Sequence, residues 1–155
     1  MVVRAWVRDR RAVAAVEFAI VAPVLMMLLA AAVDFNLFNY GRSKLNHAIS
    51  AGAQHVQLMG TAATASDAKT FIVAMSNLPN VTSSATAPAC YCIIGNPSNR
   101  QLSSATTCAT LCPDGVSLST YFMIVSGTYT YSPLMPFWDN FVGATATATA
   151  TVQLQ

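Results

Sequence analysis

The sequence predicts an α+β protein in which a long N-terminal membrane-spanning helix continues as a stem and packs on a small antiparallel sheet with disulfides. Three observations support this fold class. An apolar run lies near the N-terminus, helical periodicity continues beyond it, and the last third of the chain alternates with the two-residue period of strands. The four cysteines all lie between the helical and the alternating parts.

The apolar run is long enough for a membrane. Residues 18–33 carry no charge, and extension of the run back to residue 13 adds one acid, Glu17. The extended run satisfies the roughly 20 residues that a spanning helix needs. A carboxylate inside the hydrocarbon costs on the order of 3 kcal/mol, so Glu17 either has a functional partner or lies at the headgroup level. Pro23 is compatible with either a kink or a hinge.

The charges around this run predict its orientation. Half of the eight basic residues precede it, namely Arg4, Arg8, Arg10 and Arg11, against the single acid Asp9. The positive-inside tendency then keeps residues 1–12 in the cytoplasm as a basic leader, makes 13–33 the transmembrane helix, and exports the rest. The exported part is nearly neutral, which argues against a nucleic-acid partner.

Helical periodicity predicts a stem over residues 34–60. Apolar or small residues recur every three or four positions, at Phe38, Gly41, Leu45, Ala48, Gly52, Val56 and Met59, and Gly60 is a suitable terminator. This stripe is expected to pack on the protein's own C-terminal domain, with neighbouring subunits as the alternative. A second helix is predicted over 66–77, capped by Thr64 or Ser66, with Phe71, Ile72 and Met75 on its apolar face.

Residues 61–155 are predicted to form an exported, disulfide-bonded α+β domain. Its cysteines, Cys90, Cys92, Cys108 and Cys112, follow the pattern C-x-C-x15-C-x3-C. An even count in a small exported domain favours two disulfides, whereas the spacing is unusual for the alternative of a four-thiolate zinc site. Three pairings are open; a nested arrangement of Cys92 with Cys108 and Cys90 with Cys112 is weakly preferred.

The C-terminal third predicts two long strands, over residues 121–131 and 144–155. In the second strand Ala146, Ala148, Ala150, Val152 and Leu154 share one face, opposite threonines. An antiparallel pair of this kind is joined by the intervening loop, which carries the aromatic and proline residues Pro133, Pro136, Phe137, Trp138 and Phe141. Core packing is the favoured role of the loop aromatics, and a binding tip is the alternative.

The remaining residues show no catalytic set. The exported acids, Asp34, Asp67, Asp114 and Asp139, are scattered. His47 and His55 are eight positions apart, whereas two metal ligands on one helix usually lie four apart. We therefore expect no enzymatic activity, no cofactor, no metal and no small-molecule substrate.

One stretch resembles a known family. Residues 10–23, RRAVAAVEFAIVAP, look like the start of TadE-like minor pilins or pseudopilins of tight-adherence (Flp, type IVb) pili. Val33-Asp34-Phe35, the small-residue segment 48–53, the Cys-Tyr-Cys motif and the Thr/Ala-rich strands are similar to that family as well. The resemblance implies a pilin-like fold and cleavage by a prepilin peptidase between Ala12, where the family usually has Gly, and Val13. It also implies that Glu17, which Phe18 follows, pairs with the new amine of Val13 on a neighbouring subunit.

The resemblance further implies a role in assembling tight-adherence pili and in surface adhesion. The implied partners are the prepilin peptidase, other pilins, pilus-assembly membrane proteins and the lipid bilayer. The expected location is the bacterial inner membrane, single-pass, with the C-terminal domain in the periplasm or carried into an extracellular pilus. Two alternatives remain open: a soluble binding module released by signal peptidase after Ala32, and a permanently anchored assembly scaffold.

Overall fold

A computed structural model describes residues 10–95, 99–134 and 145–154, with side chains from residue 13 onward. Helix α1 covers Arg10–Met59, a 3₁₀ turn covers Gly60–Ala62, and helix α2 covers Ala65–Ser76. The strands are β1 Val81–Ala85, β2 Ala89–Tyr91, β3 Ile93–Ile94, β4 Gln101–Leu102, β5 Thr120–Thr130 and β6 Thr145–Gln153. The predicted α+β arrangement, with one long N-terminal helix, antiparallel sheets and two disulfides, is confirmed.

Strand β5 is the centre of the main sheet. β6 pairs with one side of it in a long antiparallel ladder, with Met123 opposite Val152 and Tyr129 opposite Ala146. β1 and β2 pair end to end along its other side, also antiparallel. Between them the Thr86 N–H donates to the Ile124 carbonyl at 2.9 Å, and Pro88, which has no N–H, precedes β2.

Helix α1 lies across the inner face of this sheet. Leu45, Ala48, Ile49 and Val56 are buried in the core. Gly127 of β5 has no side chain, so α1 can approach the sheet closely at this point. An added Cβ at Gly127 would lie only 3.0 Å from Leu45 Cδ1. The predicted stem stripe therefore packs on the protein's own domain. Met59 is the exception, with its side chain 38% exposed.

Helix α2 is capped as its sequence predicts. The Asp67 N–H donates to the Thr64 hydroxyl at 3.2 Å, and the helix ends at Asn77 in the left-handed conformation. Ile72 is buried beside Gly52 of α1, whose added Cβ would lie 2.5 Å from Ile72 Cγ1. The buried residues of this helix recur every four positions, at Ala68, Ile72 and Ser76, so the expectation that Met75 faces the core was wrong.

The four cysteines form two disulfides, but not in the nested order. Cys90 bonds Cys108 and Cys92 bonds Cys112, with Cα atoms 5.1 and 5.6 Å apart. Thr106 pairs with Cys90, which brings Cys108 close to that cysteine. The chain then turns at Ala109, which has a positive φ, and forms a second antiparallel arm with residues 117–119. The weakly preferred nested pairing was therefore wrong, because the pairing of Thr106 with Cys90 places Cys108 beside Cys90, and the chain after the turn brings Cys112 to Cys92.

Candidate membrane and assembly segment

The first half of α1 projects away from the sheet domain. Its large apolar side chains, from Val13 through Phe18 and Leu29 to Val33, are about half or more exposed on every side of the helix. Residues 13–33 would extend roughly 32 Å at 1.5 Å per residue, close to the thickness of a bilayer's hydrocarbon core. By length and composition α1 can cross a membrane, and no residue of its most apolar window is buried in the described part of the protein.

Glu17 is the one charged residue of residues 13–33. Its side chain is exposed, as are those of Val13 and Phe18. Val13 and Glu17 lie four residues apart on a continuous helix, so they share one face. The helix includes Ala12, whose side chain lies outside the described part of the chain, as do residues 1–9 of the basic leader. Prepilin cleavage and Glu17 pairing stay predictions.

A second acid, Asp34, lies where this exposed segment meets the sheet. Asp34 is only 3% exposed. Its Oδ1 accepts hydrogen bonds from the Tyr131 hydroxyl at 2.7 Å and from the Leu134 N–H at 2.9 Å. The edge of the Phe38 ring packs against Tyr131, with centroids 6.0 Å apart. The buried carboxylate therefore ties the end of β5 to the helix at the end of the apolar segment.

The position of Asp34 in the sequence indicates that this acid is buried, although the exported acids as a group are scattered. Asp34 lies four positions before Phe38 and seven before Gly41, so it continues the buried stripe by one helical turn. An acid on a buried stripe needs hydrogen-bond donors, because an unpaired buried charge is strongly destabilising. Only the fold shows that the donors come from residues about a hundred positions later.

Burial and Asp34 change the chemistry of Tyr131. Removal from water, and then the hydrogen bond to Asp34 and the negative charge of Asp34, raise the pKa of the Tyr131 hydroxyl to about 12. The ionised phenolate would face the buried carboxylate, so the folded state retains the neutral phenol. Tyr131 is thus a hydrogen-bond donor across the physiological pH range.

The described residues contain no group of three or more potential metal ligands. His55 stacks on Phe71, with ring centroids 4.2 Å apart, so it packs α1 against α2. Asp114 caps its own turn, accepting from the Val116 and Ser117 N–H groups at 3.1 and 3.0 Å. The hydrogen bonds from Ser117 lower the pKa of the Asp114 carboxyl.

The loop that contains Pro136, Phe137, Trp138 and Phe141 lies outside the described residues, so its core-packing and binding-tip alternatives stay predictions. The preceding residues are described, and the Leu134 N–H contacts Asp34. This end of β5 therefore lies beside the helix where the exposed apolar segment ends.

The comparison with protein families concerns this same helix. Residues 12–54 match the family model described as TadE-like protein. Over this segment, which is less than a third of the chain, the sequence is similar to that family. The TadE-like segment includes Glu17, Asp34 and the glycine at position 41, and it ends within the stem. No curated protein and no solved structure gave a significant match.

Proposed function

We propose that this chain is a minor pilin or pilus-assembly pseudopilin that contributes to the assembly of tight-adherence pili and to surface adhesion. The observation that carries the proposal is the exposed apolar helix of the TadE-like segment, which bears one carboxylate and continues unbroken into a stem packed on a disulfide-bonded domain. The protein acts without catalysis. It is anchored in the bacterial inner membrane, with its N-terminus in the cytoplasm and its sheet domain in the periplasm.

Assembly in this proposal depends on a charge pair. A prepilin peptidase cleaves between Ala12 and Val13, and Glu17 pairs with the new N-terminal α-ammonium of a neighbouring subunit, which is that of Val13 where the neighbour is another copy. Either charge alone is costly in the hydrocarbon, whereas an ion pair with good geometry offsets much of that cost. The exposure of Glu17 and Val13 on one helix face supports this arrangement, because both are accessible to a neighbouring helix.

The helical structure of α1 at Ala32 is relevant to the two alternatives, a released soluble module and a permanently anchored scaffold. Ala32, the candidate signal-peptidase position, lies within the helix, and the Asn36 side chain donates to the Ala32 carbonyl at 2.7 Å. Helical structure at this position favours retention of the anchor over release of a soluble module. A permanently anchored scaffold would retain the same helix, so it differs from a pilin in processing and in incorporation into the filament.

The mature N-terminus tests the proposal. Mass spectrometry of the protein from the native cell envelope should find a start at Val13. A start at Val33 would instead identify a cleaved signal peptide and a released module. An intact leader, with all of the protein in the membrane fraction, would identify the permanent scaffold.

The assembly role of Glu17 requires its own variants. Glu17→Gln keeps the size of the side chain but removes its charge, so it should insert and be processed but fail to co-purify with sheared pili or their assembly complex. Met27→Ala, another exposed position of the same segment, is the matched control and should behave as wild type. Normal incorporation of Glu17→Gln would remove the charge pair from the mechanism.

A further inference from the structure

One end of the sheet domain is fixed to α1 at the place where the exposed apolar segment ends. The Tyr131 hydroxyl and the Leu134 N–H both donate to Asp34 Oδ1, at 2.7 and 2.9 Å. Asp34 directly follows residues 13–33, the segment that is long and apolar enough to cross a membrane. Leu134 therefore lies at the level along the helix where the predicted span ends.

The side chains at this level are apolar and exposed. Leu134 is 69% exposed, although its N–H is bonded within the protein. Phe35 and Leu37 of α1 are exposed as well. At about 100° per residue they lie on opposite sides of Asp34. Leu134, Phe35 and Leu37 thus surround the base of the domain with apolar side chains, and we call these three residues the apolar collar.

The polar side chains among the collar residues bond the helix itself. The Asn36 amide donates to the Ala32 carbonyl at 2.7 Å, and the Asn39 amide donates to the Phe35 carbonyl at 2.9 Å. A polar group that has a partner within the protein costs less to remove from water than one without a partner. These two asparagines are therefore compatible with a surrounding that is partly depleted of water.

The next turn of α1 carries residue types typical of a membrane surface. Tyr40 is exposed, and the Lys44 Nζ lies 4.9 Å from the centroid of its ring. Arg42 and Lys44 are the only Asp, Glu, Lys or Arg residues between positions 35 and 60. Helical side chains lean toward the N-terminus, so Lys44 reaches back over Tyr40 toward the apolar segment. Tyrosine and basic residues are typical of the boundary between lipid and water.

The helical rise places the collar at the depth of the lipid headgroups. The headgroups add roughly 5–7 Å to each side of the hydrocarbon core. If the hydrocarbon ends at Val33, Leu37 lies roughly 6 Å and Tyr40 roughly 10 Å beyond it. The order along α1 is then apolar span, collar, tyrosine and cations, which follows the increase in polarity from the hydrocarbon outward.

We propose that the apolar collar lies in the headgroup layer on the exported side of the bilayer, so that Leu134 gives the sheet domain a membrane contact of its own. The bilayer is the partner because the collar is continuous with the span. A helix that leaves the hydrocarbon at Val33 carries Phe35 and Leu37 through the headgroups, and the bond to Asp34 holds Leu134 beside them. This inference rests on the membrane anchoring in the proposed function.

Nuclear Overhauser contacts between protein methyl groups and lipid protons test the inference. The sample is the full-length protein in nanodiscs of phosphatidylethanolamine and phosphatidylglycerol, deuterated except for its leucine and methionine methyl groups. The Leu134 and Leu37 methyls should contact glycerol and headgroup protons, and the Met27 methyl should contact acyl-chain protons. Leu58, which is exposed and roughly 37 Å beyond Val33, is the matched control and should contact no lipid.

Two conservative variants assign the contacts. Leu134→Ile and Leu58→Ile each remove one leucine signal while keeping an apolar side chain, so only Leu134→Ile should abolish a lipid contact. A Leu134 methyl that contacts only water, other parts of its own chain or a second copy would overturn the inference. Met27 would still contact acyl chains in that case, and the proposed anchoring would stand. Absence of lipid contacts at Met27 as well would refute the anchoring together with the inference.

Discussion

Removing the Tyr131 hydroxyl should destabilise the domain by more than the loss of an ordinary surface hydrogen bond. Tyr131→Phe deletes the 2.7 Å hydrogen bond to Asp34 Oδ1 but leaves the ring and its packing on Phe38 in place. Hydrogen bonds to charged groups contribute roughly 1.5–3 kcal/mol, and here the carboxylate left behind is buried. We expect Tyr131→Phe to lower the free energy of unfolding by about 2 kcal/mol.

The assay is urea unfolding of the full-length, oxidised protein in detergent, followed by near-ultraviolet circular dichroism. Tyr121→Phe is the matched control, because Tyr121 lies on the same strand but is 42% exposed. Asp34→Asn completes a double-mutant cycle, which should give a coupling energy of at least about 1 kcal/mol with Tyr131→Phe. If Tyr131→Phe costs no more than Tyr121→Phe, the buried hydrogen bond does not hold the helix to the sheet.

The same hydroxyl predicts a pH dependence. The pKa of Tyr131 is about 12 in the folded protein, against about 10 for an unperturbed tyrosine in the unfolded chain. Between these values the unfolded chain releases the phenol proton and the folded protein keeps it, so rising pH favours unfolding. The contribution of Tyr131 is therefore fully present below about pH 10 and is lost toward about pH 12. Tyr131→Phe should flatten this part of the stability profile.

Three further substitutions test the packing and the cross-links by the same unfolding assay. Gly41→Ala should lower the free energy of unfolding by about 1–3 kcal/mol, because the added Cβ would overlap the Tyr129 ring of β5 and lie only 2.7 Å from its Cζ. Wild-type stability of this variant would show that the ring moves aside freely. Replacing Cys90 and Cys108 together by alanine should cost roughly 3 kcal/mol for this loop, and peptide mapping that links Cys90 to Cys112 instead would refute the pairing. Thr64→Ala should cost about 1 kcal/mol through loss of the α2 cap, whereas Thr64→Ser should cost less.

The outer edge of β6, with which no described strand pairs, has a consequence for solubility. An uncharged edge as long as β6 is a template for unintended pairing once the protein leaves the membrane. Anchoring restricts the orientations in which two copies meet, and so lowers the risk of pairing between identical edges.

The sequence by itself determined the local elements of this protein. The apolar run and the stem periodicity predicted α1 to within a few residues, and Thr64 with Asp67 predicted the start of α2. Strict alternation predicted β6, whose Ala146, Val152 and Leu154 are buried while the threonines between are exposed. These features depend on neighbours in the chain, through helical spacing, strand alternation and capping, so local patterns are sufficient to predict them.

Tertiary structure decided the features that depend on distant residues. The role of Asp34 required donors from Tyr131 and Leu134, which no local pattern connects to it. The disulfide pairing depended on where the chain turns after Cys108, and all three pairings are compatible with the spacing of the cysteines. The covering of the β2 edge depended on where the residues after Cys92 come to lie. Such contacts are set by how the elements pack together, and packing is a property of the whole chain.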